Sequence, residues 1–508
     1  MPACRVTGTP PLKQVRIHQA YYYSLNNGQA KSHAARHNVS DLDVALGTNG
    51  KATSHLFGGE EHLSMRISIT AVYAAFALAA TVVLSGCGGG ASSSSFAPSA
   101  SMQQSITQSR SNARSQGSVT HYYPVTLDSL GGSVSFAINI NSSGQISGTS
   151  LLSGNQILHA QVWIYPPRTI DLGTLGGPNS AIFQYNHGAA GQFVGWSETS
   201  DTDPYAENYC GFGTSHVCRG FSWQNGKMRS LPTLGGTNDQ TNDVNKRGQI
   251  AGDSETSTKD SSCNPPQVFD FFGVIWQPDG KITTLPPYPG DTVSYAYTLN
   301  QSGRDAVGNS GSCAAPTAHA VLWRNASSPI NLGSLGGSAN NVALDINNRG
   351  QVVGNSDLSG NMATHTFLWQ NGRMSDLGTL PGDADSFTGG INDEGQVVGE
   401  SCDASGNCRG YLWQDGSMYD LNTLVPPSKN LNIPFGSNIN DSGEITGATV
   451  NAQGVERAIV LIPRGSAHVL PNGVSAPKFT LRESLRMRLL NPRVRFWDLR
   501  SRTSATPW

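Results

Sequence analysis

Charge is what this chain has least of. Of its 508 residues, 13% are Asp, Glu, Lys or Arg, where an average soluble domain has roughly 25%. Lys and Arg number 33 against 35 Asp and Glu, a formal charge of −2. No basic field is available to hold nucleic acid by its phosphates. Heptads and long helical stripes are absent from the central region, which argues against bundles and coiled coils. No Gly-x-Ser-x-Gly, P-loop, dinucleotide fingerprint or His-Glu-x-x-His stands in a suitable context. No catalytic residue, cofactor or metal ligand is therefore assigned from motifs. What is abundant is glycine, 58 residues, with frequent Asn, Ser and Thr. That mixture suits a turn-rich, all-β protein.

The amino-terminal part differs from the rest. Residues 1–64 are polar and His-rich and show no sustained period. Met65-Arg66 then opens a short positive flank, Ile67 to Leu84 is almost wholly apolar, and Leu84-Ser85-Gly86-Cys87 follows. This resembles a bacterial lipoprotein signal peptide, whose lipobox ends in the cysteine that becomes lipidated. On that reading Met65 is the true start, 1–64 is a disordered gene-model extension, 65–86 is the signal, and Cys87 carries the lipid. A transmembrane anchor is the alternative, since 18 apolar residues just span a bilayer. Gly88 in place of Asp leans towards the outer membrane. Residues 87–120 are rich in Gly and Ser, with Ser92 to Ser95 in a run, and read as a flexible tether.

From 121 to 463 three landmarks recur in fixed order. The first is a β-run ending in Asn-x-x-Gly, at Asn141, Asn245, Asn300, Asn347, Asn392 and Asn440, with a stretched copy from Asn186 to Gly191. The second is a strand ending in Trp163, Trp223, Trp276, Trp323, Trp369 or Trp413, with Ile459 to Ile462 as a Trp-less copy. The third is a strand closing on Leu-Gly-x-Leu-Gly-Gly or a relative, as in Leu172 to Gly177 and Leu332 to Gly337. A period of about 45 residues with four strand-like runs, here called a to d, is that of a β-propeller blade. The third landmark also precedes all the others, at Leu127 to Gly132. The expectation is a seven-bladed propeller in which an N-terminal strand d completes the last blade and removes its open edges. A capped β-solenoid is the alternative.

The runs Ile391-Asn392-Asp393-Glu394-Gly395-Gln396-Val397-Val398-Gly399, His319-Ala320-Val321-Leu322-Trp323, His365-Thr366-Phe367-Leu368-Trp369 and Asp171-Leu172-Gly173-Thr174-Leu175-Gly176-Gly177 resemble the HAF repeat of bacterial extracellular repeat proteins. The His-Ala-Phe triplet itself never occurs, and Arg219-Gly220-Phe221 and Arg409-Gly410-Tyr411 replace it in two copies. The resemblance implies an envelope location and transfers no reaction.

Up-and-down strands place the a–b and c–d turns on one face and the b–c and d–a loops on the other. The Asn-x-x-Gly and Asn-Gly turns are short and structural. The b–c loops vary in length, and binding is expected there. The loop from Glu198 to His216 holds Asp201, Asp203, Tyr205, Glu207 and Tyr209; a solvated loop is the expectation, a carbohydrate or Ca²⁺ site the alternative. Cys210, Cys218, Cys263, Cys313, Cys402 and Cys408 all fall in b–c loops, as three disulfides of an oxidising compartment would require; 15 pairings remain open. Two residues before each turn Asn stand Asn139, Gln184, Asp243, Thr298, Asp345, Gly390 and Asn438. The polar six form a possible channel ring, with hydrogen bonding between blades as the plainer reading. The Trp residues are expected to pack blades, and the isolated His319 and His365 are not expected to bind metal. Residues 464–508 match no blade and form a basic, disordered tail.

These readings converge on a lipid-anchored envelope propeller that works as a binding scaffold. Its partners are the membrane through Cys87 and a glycan or protein on the b–c face; nucleic acid is not expected. A carbohydrate-active hydrolase or lyase is the alternative, and a purely structural envelope protein the second.

Overall fold

The computed structural model describes residues 119–465 apart from 165–167, 184–187, 189–190, 428–430 and 452. Cys87 with its leader and tether, and the basic tail, lie outside the described residues. Among the described residues nearly every element is a strand. Leu421–Thr423 forms a short 3₁₀ turn, and no helix is long and apolar enough to cross a membrane.

The strands gather into antiparallel sets of four, seven in all, and the architecture is an all-β propeller. Blade 5 shows the unit: a, Gly336–Ile346; b, Val352–Leu358; c, Thr364–Gln370; d, Arg373–Asp376. The c–d hairpin turns on Asn371 and Gly372 at φ 53° and 82°, angles that an Asn-Gly pair adopts readily. Blade 7 contributes only Phe435–Ile439, Ile445–Val450 and Glu456–Pro463 from its own stretch of chain. Its outer strand is Tyr122–Thr126, with Tyr122 opposite Pro463 and Thr126 opposite Ile459. The expected closure by the N-terminal strand is what the register shows.

Strand a of blade 5 is bulged between Ala343 and Asp345, and five other inner strands are bulged at the equivalent place. The bulge turns a carbonyl towards strand b, and only glycine fits opposite. A Cβ on Gly354 would lie 1.9 Å from the Val342 oxygen, and one on Gly399 2.0 Å from the Phe387 oxygen. This gives a physical role to the last residue of the recurrent Val-Val-Gly run.

The Leu-Gly-x-Leu-Gly-Gly motif is differently placed from the expectation. Strand d of blade 1, Arg168–Asp171, ends before Leu172, and Gly176 already opens strand a of blade 2, Gly176–Ala181. The motif is the crossover between blades, and it passes through φ 113° at Gly176, a value that disfavours any side chain.

Among the described residues there is no single central core. Apolar layers sit between neighbouring blades instead. Val307, Ala320 and Leu322 of blade 4 pack on Ala343, Ile346, Val352, Phe367 and Trp369 of blade 5. The equivalent layer between blades 7 and 1 joins Ala458, Val460 and Ile462 to Ala137, Ile140, Ile146 and Trp163, which closes the ring. The strand-c tryptophans belong to these layers. Trp163, Trp276 and Trp323 also donate their indole N–H to the crossover carbonyls of Asp128, Pro232 and Pro286 at 2.7–2.8 Å, a packing role rather than a stacking platform.

Candidate functional site

The a–b face is a chain of bonds passed from blade to blade. The Asn392 side-chain oxygen accepts the N–H groups of Glu394 and Gln396, and its amide donates to Gln396 Oε1 and to the Asn440 carbonyl of the next blade. Asn245 reaches the Asn300 carbonyl, Asn347 that of Asn392, and Asn440 that of Asn141. A second series runs beside it: the N–H groups of Lys246, Gln301, Asn348 and Asp393 are accepted by Gln301, Asn348, Asp393 and Asp441 respectively. The turn side chains are thus engaged in holding blades together.

The inner ring is likewise turned towards the neighbouring blade. Asp243 accepts the N–H of Leu299 at 3.1 Å, and Asp345 accepts that of Ile391 at 2.9 Å. Asn139, Asp243, Thr298, Asp345 and Asn438 are at most 1% exposed; Gln184 lies outside the described residues. Each follows its strand's bulge, which sets the five at one level. The structure brings Asp345 and Asn438 to either side of Gly390 and places Asp243 two blades away from Asp345.

The recurrent histidines are not isolated. His159, His319 and His365 each hold an aspartate through Nδ1 at 2.9 Å: Asp171, Asp291 and Asp376. Asp171 and Asp376 belong to the Asp-Leu-Gly crossover, where they also accept the N–H of Gly173 and Gly378. Where arginine replaces histidine the pairing persists, as Arg219 to Asp239 and Arg409 to Asp383 and Asp420. Two landmarks that look independent in sequence are the two ends of one contact.

The b–c loops form the more promising surface. The six cysteines pair as Cys210–Cys218, Cys263–Cys313 and Cys402–Cys408. The first and third staple single loops, and the second ties the b–c loop of blade 3 to that of blade 4. Blades 2 and 3 are joined by side chains. The loop after strand b of blade 2 (Gln192–Thr202) folds inward, so that Asp203 and Glu207 are 3% and 1% exposed; the expectation of a solvated loop is corrected for these two. The reason is Asn238 on strand a of blade 3 (Gly235–Val244). Its amide nitrogen faces Asp203 Oδ2 at 3.0 Å, Glu207 Oε2 at 3.2 Å and Glu255 Oε2 at 3.1 Å, while its oxygen accepts the Cys218 N–H. Glu207 also accepts the Val268 N–H at 2.6 Å from the b–c loop of blade 3.

An amide nitrogen carries two hydrogens, and here it faces three carboxyl groups. Burial, with the neighbouring acid adding to it, pushes Glu255 and Glu207 well above the ordinary glutamate range. Both carboxyls crowd the same amide nitrogen, and protonation of one relieves the repulsion between them. Beside them Tyr209 donates to Asp253 at 2.5 Å, and burial lifts that Asp to about 7. Tyr205 stays at the surface, 41% exposed, edge-on to Phe269 and 4.3 Å from the Lys259 ammonium. Of the four exposed large apolar side chains among the described residues, Ile157, Tyr205 and Met362 lie in b–c loops. Two groups of potential metal ligands also converge, Asp260 with Cys263 and Cys313 and Glu400 with Cys402 and Cys408, but their sulfurs are in disulfides.

Sequence reasoning missed Asn238, Asp253 and Glu255. A signal was present: Asn179 and Asn238 each stand two residues after a crossover Gly-Gly pair, and each bonds a strand-b glutamate, Glu198 or Glu255.

No family model and no curated protein sequence matches the chain. Among solved structures, the β-propeller domain of the Trilobed protease from Pyrococcus furiosus is 12% identical at a TM-score of 0.39, covering 58% of this chain and 85% of that one. Acylaminoacyl peptidase, 14% identical at 0.38, covers 62% of this chain, which spans about half (50%) of the peptidase's length. The Aleuria aurantia lectin AAL, in complex with Fucalpha1-6GlcNAc, is 8% identical at 0.31, covering 69% of this chain and 100% of the lectin. These are likenesses of fold alone.

Proposed function

We propose that the chain is a lipid-anchored protein of the bacterial cell envelope, a HAF-type propeller whose b–c face is a rigid binding platform for a glycan or protein. The carrying observation is the continuity of that face. Side chains around Asn238 join blade 2 to blade 3, and Cys263–Cys313 joins blade 3 to blade 4. Loops held in this way lose little freedom on binding, which favours affinity. The opposite face has its turn side chains engaged between blades. Three disulfides suit an oxidising compartment, and the anchor at Cys87 would put the platform in the periplasm or at the cell surface, more readily on the outer than the inner membrane.

Full-length protein labelled for a glycan array and for pull-down from envelope extract tests the platform. Retention that falls with Tyr205→Ala and Lys259→Ala, but persists with Asp393→Ala on the other face, supports it. Equal loss from both faces, or no retained ligand, sinks it. Growth with a labelled lipid precursor tests the anchor: Cys87→Ser abolishes label and membrane association if the assignment is right.

The hydrolase alternative draws on the raised carboxyls near Asn238. It is the weaker reading, because glycosidic acids stand roughly 5–9.5 Å apart with room for sugar or water between, whereas Glu207 and Glu255 are buried against one amide nitrogen.

A further inference from the structure

The inner ring contains side chains that the protein does not satisfy. Asn438 is 1% exposed, yet neither its amide nitrogen nor its oxygen has a hydrogen-bond partner. Thr298 is fully buried, and its hydroxyl has none either. Leaving such groups unmet is unfavourable, and Asn438 leaves both of its polar atoms unmet at one position. The same level carries Asp243 and Asp345, both fully buried. Gly390 supplies the gap. A Cβ there would lie 3.2 Å from Asp345 Oδ2 and 3.1 Å from the Asn438 amide nitrogen, so the two side chains are directed at one spot from opposite sides. Rotating the Asn438 amide by half a turn exchanges its nitrogen and oxygen at no steric cost. Two oxygens then face each other across the gap, a poor arrangement unless a cation lies between them.

We propose that this ring is a binding site for a divalent, oxygen-seeking cation, calcium in an extracytoplasmic setting. Its protein donors would be Asp345 and Asn438, with water filling the remaining positions. The chemistry fits: hard oxygen atoms of carboxylate and amide type, with waters retained on the ion. The site lies on the inner strands, whereas the binding platform is built from b–c loops, so the two proposals stand or fall separately. The cation would tie blades 5 and 7 across the space that Gly390 of blade 6 leaves open.

The experiment uses the full chain, stripped with chelator and returned to calcium, magnesium or chelator alone. Elemental analysis after dialysis should find one calcium per chain, and thermal unfolding should shift upward in calcium by several degrees. Asn438→Ala is the decisive variant. Its side chain makes no bond within the protein, so its Tm in chelator should match or exceed that of wild type, while calcium affinity falls at least tenfold. Asp345→Asn should lose affinity too, although it also disturbs the bond to Ile391. Glu255→Gln should retain it. Absence of retained metal with no calcium shift overturns the site and leaves water as the occupant. A calcium shift that survives Asn438→Ala and vanishes in Glu255→Gln overturns it in favour of the loops.

Discussion

The raised carboxyl of Glu255 makes folding stability depend on pH in a direction opposite to that of paired surface acids. Burial lifts Glu255 from 4.5 to about 8. An acid whose folded value is raised contributes stability that is full below its unfolded value and is lost as pH climbs through the folded one. Between those values each proton held only by the folded state tilts stability by about 1.4 kcal/mol per pH unit. Over the whole span the ceiling is about 5 kcal/mol; partial screening and the coupling to Glu207 reduce it, and we expect a loss of about 2 kcal/mol between pH 5 and 8. Glu255→Gln removes the titrating group but not the geometry. The introduced amide keeps an oxygen for the N–H groups of Thr237 and Asn238 and offers Glu207 a fixed N–H. Gln267, which donates to Glu255 at 2.7 Å, must turn its own amide to suit. Urea unfolding of oxidised full-length protein at half-unit steps from pH 5 to 8.5 measures the effect. The variant's stability should fall less steeply, with the two curves diverging towards high pH. If both fall in parallel, the proton is not held where these carboxyls meet.

Three further outcomes follow from particular contacts. Asn392→Ala removes four hydrogen bonds around the turn and should cost about 2–4 kcal/mol by urea denaturation, against under about 1 kcal/mol for an exposed charge such as Glu394→Ala. Replacing both Cys263 and Cys313 by Ala opens a link across 50 residues, whereas Cys402–Cys408 spans 6; chain entropy predicts losses of about 4 and about 2 kcal/mol, read as Tm under non-reducing conditions. Gly354→Ala drives a Cβ into the Val342 carbonyl and should destabilise by more than about 3 kcal/mol or prevent soluble expression, while the same change at Gly360, which faces open space but has φ 87°, should cost about 1 kcal/mol.

Much of the fold was legible because a blade is a local object. The Asn-x-x-Gly turn, the Trp and the Asn-Gly hairpin each recur once per repeat, so their spacing reports them directly. The misplaced start of the third landmark revealed the closure by Tyr122–Thr126 for the same reason. What stayed hidden is whatever joins one landmark to another or passes between repeats. His365 and Asp376 are eleven residues apart but belong to different landmarks, and nothing in the spelling joins them. Asn238 meets Asp203 and Glu207 from 35 and 31 residues away, through a loop whose length varies, so no period marks the encounter. The glycine of Val-Val-Gly was visible as a repeat, but its reason is a bulge in another strand, which sequence does not display. The cysteine pairs followed the expected neighbourhood because loops on one face of adjacent blades are close.

The bonds along the a–b turns have one more consequence. Every described link in that series runs in the same sense, and the one from Asn440 to Asn141 is of the same kind as those between consecutive blades. In that series the junction between first and last repeats therefore uses the same bond as its neighbours. The seam exists only at the outer edge, where Tyr122–Thr126 is borrowed. Duplication or loss of a whole repeat would require no new turn chemistry, only a small change in the angle between neighbours. A cut within a repeat would strand a donor on one side and an acceptor on the other. The turn chemistry thus accommodates a change of copy number in whole units only, with the phase of the repeat held fixed.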